Sequence, residues 1–204
     1  KIVKNRINKK IKKIFLIHQI HSNKFIFIDR NFKSDTRKIK VDAIVTDRRK
    51  FPIGVLTADC APILLFDKKK KFIAAIHAGW KGAFKGIITK VIKFMIRKGC
   101  KPKNIVAAIG PCIGKKNYNV KEDFKKKFII KSKKNKIFFS CNKTEIYFDL
   151  ASYLKSELKF NKITNIDMRN IDTFIKKNNF FSARQAIKSG HDDYGRNISI
   201  IMIN

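Results

Sequence analysis

Acidic residues are scarce in this chain of 204 residues: 15 Asp and Glu stand against 48 Lys and Arg, a formal net charge of +33. The basic residues are spread through apolar segments instead of gathered in a tail, and 44% of the chain is hydrophobic. That pattern excludes wholesale disorder and supports one sizeable core. Long apolar runs are also missing. Lysines interrupt every candidate, including residues 84–96, before the roughly 18 residues a bilayer requires, which excludes a membrane-spanning helix. The basic start of the chain leads into no apolar region of the secretory kind. With 9 Gly and 4 Pro, no linker or low-complexity stretch divides the sequence, so residues 1–204 read as a single domain.

Cysteine and histidine are equally sparse, four of each. The cysteines (Cys60, Cys100, Cys112 and Cys141) form no C-x-x-C pair, and a chain of this size needs no disulfide staples. They read as thiols of a reducing compartment, hence a cytoplasmic protein. Four histidines are too few for a blue-copper plus trinuclear copper oxidase. The charge predicts a salt-sensitive, non-specific affinity for nucleic acid. Lys, Ile, Asn and Phe are abundant together, however, and all have AT-rich codons. Biased base composition therefore accounts for the lysines without a nucleic-acid role, and no zinc-finger spacing or RNP-like strand accompanies them.

Short runs rich in Ile, Val and Phe predict strands at 14–20, 25–28, 43–46, 53–58, 63–66, 72–76, 105–109, 137–139, 146–148 and 198–203. Phe84, Ile87, Ile88, Val91, Ile92, Met95 and Ile96 follow helical spacing with Gly99 as a stop. A second helix begins after Asp149, a good N-cap, and a weaker one covers 122–130. Strands outnumber helices, so the class is α+β with a mixed sheet. The lysine runs at 68–71 and 131–136 read as solvated hairpin tips or loops, and 189–196 as a polar loop.

Chemistry concentrates at strand ends. His21 and His77 lie at or just past the ends of predicted strands, and Thr57-Ala58-Asp59-Cys60-Ala61-Pro62 sets a thiol beside a carboxylate. The glycines of His77-Ala78-Gly79-Trp80-Lys81-Gly82 permit close backbone approach. Closely linked strands around 53–76 bring Cys60 near His77, and two chemistries compete there. A Cys60–His77 pair alone makes a nucleophilic cysteine of hydrolase type. With His21 added, the set becomes His₂Cys, which suits Zn²⁺ and leaves a fourth position open. The pattern leaves both open. Gly110-Pro111-Cys112-Ile113-Gly114 reads as a strand-end turn with a buried Cys112. Phe180-Phe181-Ser182-Ala183-Arg184 joins an aromatic wall to a guanidinium suited to holding an anion, or is a strand with one snorkelling Arg.

Taken together, Gln19-Ile20-His21-Ser22 and the four segments just quoted resemble the bacterial laccase-domain family, in the family's order and over nearly the whole chain. That family was described as multicopper polyphenol oxidases, is associated with zinc-dependent purine nucleoside phosphorylase, adenosine deaminase and methylthioadenosine phosphorylase activities, and has a peptidoglycan-editing branch. The resemblance implies a layered α-β-β-α sandwich of mixed sheets, related to the catalytic fold of the cytotoxic necrotizing factor toxins, where a Cys–His pair is the nucleophile. It implies one zinc held by His21, Cys60 and His77, with copper the less favoured metal, and purine nucleosides and phosphate as substrates. In that reading Asp59 is a candidate acid/base, and Arg184, Lys81 or Arg6 binds phosphate. Gln19, Trp80 and Phe181 line the substrate, the two aromatics by stacking on the base. Two departures are expected to alter the pocket. No counterpart of the family's Gly-Gly-Val-Ser segment precedes Lys1, so the domain is expected to lack its N-terminal segment, and Gln185 stands where a second Arg often follows Arg184.

Overall fold

The computed structural model describes residues 13–32, 39–142 and 144–204. Arg6 lies outside them.

Period-2 alternation along the central strands sorts their side chains into two cores. Strands β1 (Phe25–Ile28) and β2 (Ala43–Thr46) pair in parallel. Strand β3 (Ile53–Thr57) is followed by β4 (Ala61–Asp67) and β5 (Ile73–Ala78), which pair antiparallel; β5 also pairs antiparallel with β2. Strand β6 (Ile105–Ile109) adds antiparallel to β4. Two residues, Asn119–Val120, form β7, and β8 (Phe139–Asn142) and β9 (Glu145–Phe148) follow. Strand β10 (Asn165–Met168) lies parallel to β6, and β11 (Asn197–Ile201) antiparallel to β3. The result is a mixed six-stranded sheet ordered β1-β2-β5-β4-β6-β10, a β11-β3 pair, and a small β7-β9-β8 sheet.

On one face of the large sheet, Val45, Ile63, Leu65, Ala74 and Ile76 meet helices α2 (Ile87–Arg97) and α4 (Leu150–Phe160). On the other, Ile44, Ile73 and Ala75 meet Ile53 and Val55 of β3. No helical residue belongs to this second core among the described residues. Among the described residues the layers are helix, six-stranded sheet and two-stranded sheet.

Local chemistry explains where elements start and stop. Asp149 caps α4 by accepting from the Ser152 N–H. The helix expected over 84–96 is two helices, α1 (Trp80–Phe84) and α2, because Gly86 between them takes a left-handed φ of 79°. The expected strand at 14–20 reduces to single bridges at Phe15 and His18. Side chains there replace a backbone ladder: the Gln19 carboxamide accepts from Leu56 N–H and donates to Leu56 C=O. Residues 133–138 form a 3₁₀ turn ahead of β8, tucked in by Asn135 donating to the Phe128 carbonyl. Helix α3 (Glu122–Lys131) matches the weaker helical expectation. Helix α5 (Ala183–Lys188) stands where a strand was the alternative expectation, capped by Ser182 accepting from Gln185 N–H.

Candidate metal centre and pocket

The register of β2 against β5 pairs Ala43 with Ile76, which sets Asp42 beside His77 at one end of the large sheet. His77 N–H donates to the Asp42 carbonyl, and His77 Nδ1 lies 2.8 Å from Asp42 Oδ1. Asp42 is fully buried and His77 is 4% exposed. A carboxylate only accepts, so Nδ1 carries the proton and Nε2 is left for a further partner. The same carboxylate accepts from the backbone N–H groups of Ile20, His21 and Ser22 and from Ser22 Oγ. These bonds hold His21 at a left-handed φ of 55°, uncommon for a residue with a Cβ, and turn its ring toward His77, with centroids 4.8 Å apart. Burial alone would raise the Asp42 pKa, but the donors from His77 and Ser22 outweigh it and hold the group near 2. Burial likewise opposes the His77 charge, yet Asp42 and Cys60 push His77 up to about 9.

Cys60 completes the cluster from the connection between β3 and β4, where the chain crosses from one sheet to the other. Burial raises its thiol, but hydrogen bonds with His21 and His77 bring it down to about 7. One donor atom from each of His21, Cys60 and His77 lies within 4.8 Å of the others, a set that could hold a metal ion. Two imidazoles and a thiol are borderline-soft donors of the kind Zn²⁺ takes, so the residues present fit such an ion. Gly79 is required by space: a Cβ there would stand 2.5 Å from Cys60 Sγ and 3.2 Å from the His21 ring.

Beside the cluster opens a cavity of about 180 Å³ lined by Asp59, Cys60, Trp80, Ile113, Tyr118 and Arg184, among others. Asp59 accepts from Thr173 Oγ1 at 2.6 Å and from Arg184 N–H at 2.8 Å, so both carboxylate oxygens are occupied and fasten α5 to the pocket wall. The Arg184 guanidinium donates through Nη1 to the Asn119 carbonyl and stands 5.7 Å from the Tyr118 ring, leaving most of its N–H groups free of protein partners among the described residues. Trp80 also packs on Phe124.

The structure therefore brings Asp59, Cys60, Trp80 and Arg184 to one pocket and His21 and His77 to its metal side. It does not bring the rest. Lys81 is exposed beside Trp80, and the Gln19 carboxamide is used up on Leu56. Phe181 is 54% exposed and packs on Gly195, outside the lining of this cavity. Cys112 is buried in its strand-end turn, which pushes the thiol up to about 12. Sequence reasoning missed Asp42 and the pocket wall formed by Tyr118 and Ile113. The available signal for Asp42 was an acidic residue opening an apolar strand in a chain with few acids.

Comparison with known proteins places these observations. The family model described as multi-copper polyphenol oxidoreductase laccase matches residues 1–204. A Rickettsia prowazekii protein named purine nucleoside phosphorylase is 33% identical over 181 residues, 87% of this chain and 72% of the relative. A protein of the same name from Aquifex aeolicus is 35% identical over 155 residues, 74% of this chain and 71% of the relative. Among solved structures, the Bacillus licheniformis hypothetical protein YfiH matches with a TM-score of 0.89 at 26% identity, covering 100% of this chain and 79% of that one. YlmD from Geobacillus stearothermophilus shares the fold, with a TM-score of 0.84 at 21% identity over 99% of this chain and 77% of its own.

Proposed function

Because this chain belongs to the multi-copper polyphenol oxidoreductase laccase family, and curated relatives carry the name purine nucleoside phosphorylase, we propose that it is a zinc-dependent purine nucleoside enzyme. Its substrates are adenosine, inosine or methylthioadenosine together with phosphate. The observation that carries the reading is the His21, Cys60 and His77 cluster set against the Arg184 pocket. Zinc held by these three side chains would supply a Lewis acid with an open position.

In phosphorolysis a phosphate oxygen bonds to the ribose C1′ as the glycosidic bond breaks, and its electron pair leaves on the purine nitrogen, which takes up a proton. Arg184 holds the phosphate through its free N–H groups, since a guanidinium matches an oxyanion in a bidentate way. Asp59 is a positioning residue here, fixing the backbone of Arg184. Trp80 and Tyr118 form the apolar wall against which the base rests. Deamination of adenosine, the second activity proposed, consumes water, releases ammonia and needs no phosphate.

The experiment is product chromatography of inosine and adenosine incubated with and without phosphate. The expected outcome is free base only when phosphate is present, and inosine from adenosine in either case. Arg184→Ala should lower phosphorolysis by at least about tenfold, the loss of one charge-assisted contact of 1.5–3 kcal/mol, while sparing deamination. Equal phosphorolysis by wild type and Arg184→Ala contradicts the phosphate assignment.

One observation favours a second reading: the Cys60 thiol lies within 4.8 Å of a ring nitrogen of both His21 and His77, and the two imidazoles bring it down to about 7, as the nucleophile of a cysteine hydrolase requires. Ester or amide hydrolysis that persists in strong chelator would select it.

A further inference from the structure

Tyr118 enters the nucleoside reading only as part of an apolar wall, and its hydroxyl has no role there. The chain fixes this residue closely. After Gly114 a 3₁₀ turn over Lys115–Asn117 leads into β7, and Phe148 N–H donates to Tyr118 C=O at 3.0 Å. Asn117 donates to Asp172 Oδ2 at 2.7 Å, and Gly114 is required by space, since a Cβ there would run into the same carboxylate.

Packing then sets the ring. Phe148 and Phe124 meet it at 66° and 63°, with centroids 5.8 and 6.3 Å away, and the Arg184 guanidinium stands 5.7 Å from its centre. The half-buried side chain lines the cavity together with Asp59, Cys60 and Arg184. Those three groups are also the charges that act on its phenol: burial with Cys60 and Asp59 pushes it up, against the pull of Arg184. The hydroxyl therefore stands among the working groups of the pocket and is a donor at neutral pH.

Phosphorolysis leaves one requirement unassigned. As the C1′–N9 bond breaks, its electron pair spreads over the imidazole part of the purine, and a donor at N7 lowers the energy of that charge. Arg184 is taken by the phosphate, both Asp59 oxygens are occupied, and the aliphatic lining residues have no donor. Trp80 and Tyr118 remain. The Trp80 ring, packed 4.9 Å from Phe124, offers a face to the base, whereas the Tyr118 phenol is the group set among the pocket's charges.

We propose that the Tyr118 hydroxyl is a catalytic donor, hydrogen-bonding N7 of the departing purine and stabilising the negative charge that arrives there as the glycosidic bond breaks. The assignment rests on the nucleoside reading of the site. A phenol is a weak acid and keeps its proton. The proton that completes the free base is the one that phosphate sheds on forming the ester, passed on through water.

The test compares phosphate-dependent turnover of inosine and 7-methylinosine by wild type, Tyr118→Phe and Trp80→Phe. The base of 7-methylinosine leaves as a neutral molecule with no free N7, so it needs no donor. Tyr118→Phe, which removes only the hydroxyl, should lower kcat for inosine by about 10- to 100-fold, the effect of one hydrogen bond to a charged group, with KM little changed because that charge arises only in the transition state. It should spare 7-methylinosine, so the ratio of the two turnovers rises by the same factor, while zinc content and melting midpoint match the wild type. Trp80→Phe should slow both nucleosides alike. An unchanged ratio in Tyr118→Phe, or a shifted ratio in Trp80→Phe in its place, would overturn the assignment while wild-type phosphorolysis stands. Absence of wild-type phosphorolysis would overturn the nucleoside reading itself, and the assignment with it.

Discussion

A buried carboxylate that accepts from Ile20, His21, Ser22 and His77 at once has no uncharged substitute, because an amide in its place turns a donor toward donors. Asp42 thereby couples two of the three candidate ligands, fixing the tautomer of His77 and the backbone of His21. Asp42→Asn should weaken metal binding by about 10- to 100-fold, the usual effect of losing such a support, and chelator competition measures it. Unchanged affinity would contradict the coupling. The His21, Cys60 and His77 cluster was legible in the sequence because these residue types are rare here and stand at strand ends. Asp42 was not, since its role depends on the pairing of β2 with β5, which spacing along the chain does not reveal. Gln19 shows the converse: a polar residue next to the site motif whose carboxamide serves the edge of β3 instead.

Elements with strong local signals appear where the sequence puts them: α2 by its apolar stripe, α4 by the Asp149 cap, β2, β4 and β5 by their apolar runs. Short edge elements do not announce themselves. Strand β10 alternates between exposed and half-buried residues and is stabilised by pairing with β6, and β7 has two residues. Helix α3 is the instructive case, because Phe128 is its only fully buried side chain. That ring stands within 5.1 Å, centroid to centroid, of Phe84, Phe124, Phe148 and Tyr153, joining α3 to α1, β9 and α4. Phe128→Ala should cost about 3–5 kcal/mol of stability, read by denaturant unfolding, since the cavity would open among four rigid rings. A loss below about 1 kcal/mol would mean that the cluster closes around the gap.

At the scale of the whole molecule, a net charge of +33 surrounds a core that the apolar pattern alone could specify. No helix among the described residues is long and apolar enough to cross a membrane. Affinity for arbitrary duplex DNA should fall linearly on a log–log plot against salt, with little sequence preference, in a filter-binding or anisotropy assay. A sequence-specific complex that survives physiological salt would show that the charge is used for recognition. Strands β2 and β5 and the β3–β4 crossing bring together His21, Cys60 and His77, a set that could hold a metal ion, and the function proposed for the chain requires that metal for nucleoside turnover. The most direct measurement is phosphate-dependent release of hypoxanthine from inosine by protein stripped of metal and then titrated with zinc. No turnover is expected at the start, recovery should saturate at about one zinc per chain, and Cys60→Ala should show none at any zinc level; full turnover by the stripped protein, or by Cys60→Ala, would contradict the metal-dependent reading.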